Sequence, residues 1–201
     1  MMRSSLAWSL ALTLSAAPAG AKQFVIPHTG WPTPAPPHLT SAIAARAFVD
    51  DGVPPSFNEA LPSNIVAPDV VRGVAAAMLR ASPTFRRQCA RLARAPDLIV
   101  TVSHVQMAGS RPYVAITRIH RRADGRLAAD VYIGPGGDRE ELLAHEFEHI
   151  IEQLDGIDLA ALAKRPGTGV HVVPNASEFE TDRAVTIGRQ VASEIRAMHG
   201  T

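Results

Sequence analysis

The residues best placed to do chemistry are His145, Glu146 and His149, in the run Leu142-Leu143-Ala144-His145-Glu146-Phe147-Glu148-His149-Ile150-Ile151. On a helix, at about 100° per residue, the two histidines lie about 40° apart on one face, close enough for both imidazoles to bind one ion at about 2 Å. Glu146 falls about 60° from His149 on the same side. That offset keeps its carboxylate out of the ligand set and lets it take a proton from metal-bound water, the general-base role in metal-assisted hydrolysis. Leu143, Phe147, Ile150 and Leu154 form an apolar stripe across the helix, so the pattern predicts histidines that face a cleft or solvent. The plainer alternative is a pair of exposed histidines on an amphipathic helix that holds no metal.

A catalytic zinc takes three protein ligands and keeps a position for water, so a third ligand is required. His149 is followed by Ile150-Ile151-Glu152-Gln153-Leu154-Asp155, which offers no further histidine; the next acidic cluster is Ser177-Glu178-Phe179-Glu180-Thr181-Asp182. With these residues the chain resembles the gluzincin metallopeptidases, over about residues 69–198, the specific part being confined to His145 to His149 and the acidic cluster. It is also similar to small uncharacterised bacterial exported proteins with an H-E-x-x-H helix and a later aromatic-Glu-Thr segment, here Phe179-Glu180-Thr181. The resemblance implies a zincin-like α+β domain of minimal gluzincin type, a Zn2+ cofactor, a peptide or protein substrate, and a glutamate from a later helix as third ligand.

Two glutamates compete for that role. Glu178 with Asp182 matches the gluzincin pattern E-x-x-x-D, in which the aspartate supports a ligand histidine. Helical phase favours Glu180, which falls in the inward stripe of Ala184, Ile187, Val191, Ile195 and Met198. If Glu180 is the ligand, its i+4 neighbour is Ala184 and the supporting aspartate is missing, so another residue must orient the histidines. Glu152, one turn beyond His149, is either that support or a charged flank. His171 and Tyr132 are candidates to stabilise an oxyanion, set against plainer readings as a solvated loop histidine and a packed tyrosine. His104 and His120 read as structural residues of strands.

The elements that must position these residues follow from pattern and punctuation. Residues 69–79 and 83–93 read as helices, with Ser82 capping the second and Pro83 in its first turn. Residues 98–105, 113–120 and 127–133 read as strands, the last two flanking the hairpin signal Asp124-Gly125. Asp138 and Glu141 form a capping box for the H-E-x-x-H helix, which Gly156 stops. A short helix over 158–164, a loop over 166–175 and a last helix capped by Ser177 and ending near 198 complete the chain. The expected architecture is α+β: two helices, a small largely antiparallel sheet packed on the H-E-x-x-H helix, and a closing helix that brings the third ligand.

Composition sets the frame. With 201 residues and 46% hydrophobic side chains the chain supports one core. Twenty basic residues against nineteen acidic ones give no field directed at nucleic acid or an acidic membrane. Arg3, the apolar run 6–17 and Ala19-Gly20-Ala21 predict a signal peptide over 1–21, hence a periplasmic or secreted protein with no stable membrane span once it is removed. Residues 22–67, rich in proline, read as a linker or arm with a short helical stretch around 41–49, and 68–201 as the zincin-like domain. Cys89, the single cysteine, reads as a small buried hydrophobe. Together these readings predict zinc-dependent hydrolysis of peptide bonds with Glu146 as general base; the alternative is a non-catalytic exported module that holds zinc or a peptide.

Overall fold

Alternating burial along the chain builds a sheet whose inner face the helices cover. The computed structural model describes residues 24–27, 60–104, 115–173 and 178–200; the expected signal peptide, the stretch around 41–49 and the Ser177 cap lie outside them. Among the described residues one sheet has the order β1-β4-β5-β3-β2, formed by β1 (Phe24–Pro27), β2 (Ile65–Val66), β3 (Leu98–His104), β4 (Ala115–Arg121) and β5 (Leu127–Ile133). In β3 the residues Leu98, Val100 and Val102 are buried, and in β5 Ala129, Val131 and Ile133, each at period two. The expected hairpin joins β4 to β5: Gly125 adopts φ 85°, and Asp124 accepts a hydrogen bond from the Arg126 amide at 3.1 Å.

The sheet is mixed and not largely antiparallel. β4 runs antiparallel to β1 and β5, whereas β3 runs parallel to both β2 and β5. The cause is a crossover: after β3 the chain passes to the far side of β5, so the returning arm of the hairpin, not its first arm, meets β3. Two of these strands come from the proline-rich range 22–67. Both are short and both are edges, the position in which the missing N–H of Pro27 is tolerated.

The helices are α1 (Asp69–Ala81), α2 (Pro83–Ala93), α3 (Arg139–Leu154), α4 (Leu159–Leu162) and α5 (Asp182–His199). Ser82 lies between the first two and accepts a hydrogen bond from the Phe85 amide at 3.0 Å, as its cap role requires. Asp138 caps α3 through the amides of Glu140 and Glu141. At its other end Gly156 N–H donates to the Gln153 carbonyl and Ile157 N–H to that of Glu152, a Schellman stop with Gly156 at φ 70°. The helix packs on β4 and β5 on one side and on α5 on the other, and Phe147 stacks on Phe85 of α2 at 5.7 Å. No described helix is long and apolar enough to cross a membrane.

The expected start of the last helix is instead strand. Phe179–Thr181 forms β7, paired antiparallel with β6 (Val170–Val172), which arises within the expected 166–175 loop. Helix α5 therefore starts at Asp182, capped by Thr181, whose Oγ1 accepts from the Ala184 amide at 3.0 Å.

Glu194 of α5 reaches the N-terminus of α2, where its carboxylate accepts from the Ser82 and Thr84 hydroxyls, the Thr84 amide and Gln190. Partial burial opposes its charge, but these donors outweigh burial and hold its pKa below the ordinary 4.5. A depressed carboxyl stabilises the fold above its unfolded pKa and loses that contribution as pH falls through the folded value. Glu194→Gln should cost about 1–2 kcal/mol at neutral pH, and the difference from the parent should shrink in urea unfolding carried out below the ordinary glutamate range.

Candidate metal centre

Helix α3 presents His145 and His149 one turn apart, and the strand β7 brings Glu180 up to them. Among the described residues these three are the His, Cys, Asp or Glu side chains grouped closely enough to share an ion, their donor atoms all within 4.8 Å of one another. The two imidazole Nε2 atoms are 2.9 Å apart, and Glu180 Oε1 lies 3.3 Å from that of His145 and 3.6 Å from that of His149. In a tetrahedral site with bonds of about 2.0–2.1 Å, neighbouring donors stand about 3.3 Å apart. A circle through the three donors has a radius of about 1.9 Å, just under one such bond, so an ion slightly off their plane reaches all three and keeps a fourth position. A hydrogen-bonded imidazole pair would account for the 2.9 Å edge alone. The donor set of two imidazoles and one carboxylate fits zinc, and also manganese or cobalt.

The surroundings orient these ligands. Glu152 Oε2 lies 2.9 Å from His149 Nδ1, which makes that nitrogen the donor and leaves Nε2 free to coordinate. Glu152 is thus buried against His149 and not a solvated charged flank. Its other oxygen accepts from Thr181 Oγ1 at 2.7 Å, and the Thr181 amide donates to Glu180 Oε1 at 2.7 Å. One threonine therefore ties Glu152, Glu180 and the start of α5 together. Burial disfavours charge on His149, but Glu152 and Glu180 outweigh it and hold its pKa well above the ordinary 6.5. Two carboxylates make the pocket one that favours a cation.

Glu146 is fully buried, and Thr117 of β4 donates from Oγ1 to its Oε2 at 2.6 Å. Its carboxylate is not one of the three grouped donors. The rest of α3 differs from expectation: instead of facing a cleft or solvent, His145 and His149 are 0% and 1% exposed, and every residue from Leu142 to Glu152 is buried. Polar side chains on that face are matched by partners from other elements, so no open face is needed. Glu148 is bonded to Arg183 Nε at 2.6 Å and to Gln88 at 2.8 Å, and Arg183 reaches Asp155 at 3.1 Å.

Of the other sequence candidates, Glu178 is buried but is not among the three grouped donors. Asp182 does not support a ligand histidine; it pairs with His171 Nε2 at 2.9 Å at the surface, because it opens α5 and faces β6. His171 stands opposite Glu180 in the β6–β7 ladder with its side chain 59% exposed. Tyr132 on β5 is half-buried with the Arg118 guanidinium over its ring, 5.5 Å from the centroid. His120 lies 3.7 Å from Asp130 across the β4–β5 hairpin, and His104 ends β3. Cys89 is fully buried, and burial pushes its thiol pKa up, which leaves it inert.

Thr117, Thr181 and Gly188 escaped the sequence reading. A Cβ at Gly188 would lie 2.8 Å from the Glu141 carbonyl oxygen and 3.1 Å from His145 Cβ, so glycine lets α5 approach α3 beside the first ligand. The available signals were thin: Thr181 has the chemistry of a helix cap, and Gly188 is the small residue four beyond Ala184 on the inward face.

Comparison with protein-family models, curated proteins and solved structures finds no match to this chain.

Two substitutions test the arrangement without touching a ligand. Glu152→Ala should weaken zinc binding about 10- to 100-fold in competition with a chromogenic chelator. Gly188→Ala should destabilise the protein by about 1–3 kcal/mol through overpacking of α5 on α3; an unchanged melting temperature would contradict the close approach.

Proposed function

We propose that this protein is a zinc-dependent hydrolase of peptide bonds, of zincin-like and minimal gluzincin type, with His145, His149 and Glu180 as ligands and Glu146 as general base. The observation that carries the reading is the donor triangle together with a buried carboxylate next in sequence to one of its members: Glu146 accepts a hydrogen bond from Thr117 and is not one of the three grouped donors. His145, His149 and Glu180 would hold the zinc ion, which would supply Lewis acidity and lower the pKa of water at the site.

The chain's own residues do the remainder. Glu146 accepts a proton from the attacking water and returns it to the leaving amine. The Thr117 hydroxyl donates to one of its oxygens and fixes the orientation of the carboxylate. Glu152 keeps His149 in the tautomer that donates through Nδ1. A low-dielectric interior strengthens each of these interactions relative to water.

The deep burial of the ligands favours a second reading, an exported module that holds zinc or a peptide without turnover. Elemental analysis of protein purified without chelator should find one zinc per chain, and His145→Ala should abolish it. Glu146→Gln should retain the metal and lower hydrolysis of a peptide library about 100-fold or more. A wild-type protein that holds zinc and cuts no peptide would establish the module reading, and one that holds no stoichiometric metal would remove both.

A further inference from the structure

The strand β1 occupies a position that bears directly on this site. Its backbone pairs antiparallel with β4 in the register Phe24 with Ile119, Val25 with Arg118, Ile26 with Thr117 and Pro27 with Ile116. Thr117 is the residue whose hydroxyl holds Glu146. β1 also lies against β7, the strand that carries Glu180. Four residues of backbone thus run between the strand that positions the base and the strand that brings the third ligand.

In the order β1-β4-β5-β3-β2, β5 covers one side of β4 and β1 covers the other. Without β1 the outward row of β4 amides and carbonyls would be an open edge, the surface on which an extended peptide adds a strand through its own backbone. With it in place, His145, Glu146, His149 and Glu180 are 0–8% exposed.

We infer that Phe24–Pro27 occupies the backbone-pairing site for an extended peptide substrate, so that the chain keeps its own hydrolytic site closed until this strand is displaced; this inference rests on the peptidase reading given above. The ladder is only four residues long and ends in Pro27, which has no N–H to extend it. Its advantage over a free peptide is tethering, which gives an effective concentration on the order of millimolar. Peptides well below that concentration therefore meet an occupied edge, whereas a peptide above it, or loss of the strand, opens the site.

The test uses binding as its readout, so that it does not depend on turnover. The probe is a fluorescent peptide with the sequence of residues 22–30. In an antiparallel strand alternate N–H groups face the same neighbour, so Val25→Pro/Ile26→Pro removes a donor to β4 whichever register position makes the bond. The zinc-loaded double variant should bind the probe at least tenfold more tightly than the zinc-loaded parent. Equal affinity for the two proteins, or binding to neither, overturns the inference. A variant that gains the probe and holds zinc yet cuts no peptide upholds the strand assignment while removing the hydrolase reading. Should the variant fail to fold, amide hydrogen exchange on the unmodified protein decides: as the probe rises through millimolar concentration, whichever of the Val25 and Ile26 amides donates to β4 should lose protection while the β4 amides keep theirs, and unchanged exchange at both Val25 and Ile26 overturns the inference.

Discussion

An ionised carboxylate in a protein interior costs several kcal/mol unless a partner compensates it, and this fold places Glu146, Glu148, Glu152 and Glu180 in its interior within a short distance of α3. Each is matched from a different element. Glu146 is met by Thr117 of β4, Glu148 by Gln88 of α2 and Arg183 of α5, Glu152 by His149 and Thr181, and Glu180 by the Thr181 amide and the two imidazoles. The relative placement of α2, α3, α5, β4 and β7 is therefore specified by charge compensation as well as by apolar packing. Helix α3 is at once the centre of the core and the bearer of the site, which is why its polar face is as buried as its apolar one.

Local chemistry was legible in the sequence wherever the determinant was itself local. The spacing of His145, Glu146 and His149, the Ser82 and Asp138 caps, the Gly156 stop and the turn at Gly125 depend on residues within one or two turns of each other, and each appears where expected. The parallel pairing of β3 with β5 was not legible, because it depends on which side of the sheet the chain takes after β3. The choice of Glu180 over Glu178 came from helical phase, yet the segment is a strand. Glu180 lies near the two histidines from strand β7, paired with β6, and not from the inward stripe of a helix.

Burial was the other gap. The histidine face was expected to look onto a cleft or solvent, and only partners at long sequence distance, Gln88, Thr181 and Arg183, account for the burial of Glu148 and Glu152 on that helix. Thr117 and Gly188 illustrate the same limit. A hydroxyl aimed at a carboxylate and a missing Cβ against a neighbouring helix gain meaning only when strands and helices from distant parts of the chain come together.

The pairing of β1 with β4 also spans the widest sequence separation of the described strand pairs. The strand nearest the start of the chain finds its partner about ninety residues later, and that partner exists as a strand only once the β4–β5 hairpin has formed. Closing so long a loop is an entropic cost that local elements do not bear. Among the described strand pairs that cost is therefore greatest for this four-residue ladder, beside the seven-residue ladders that β5 forms with β4 and β3.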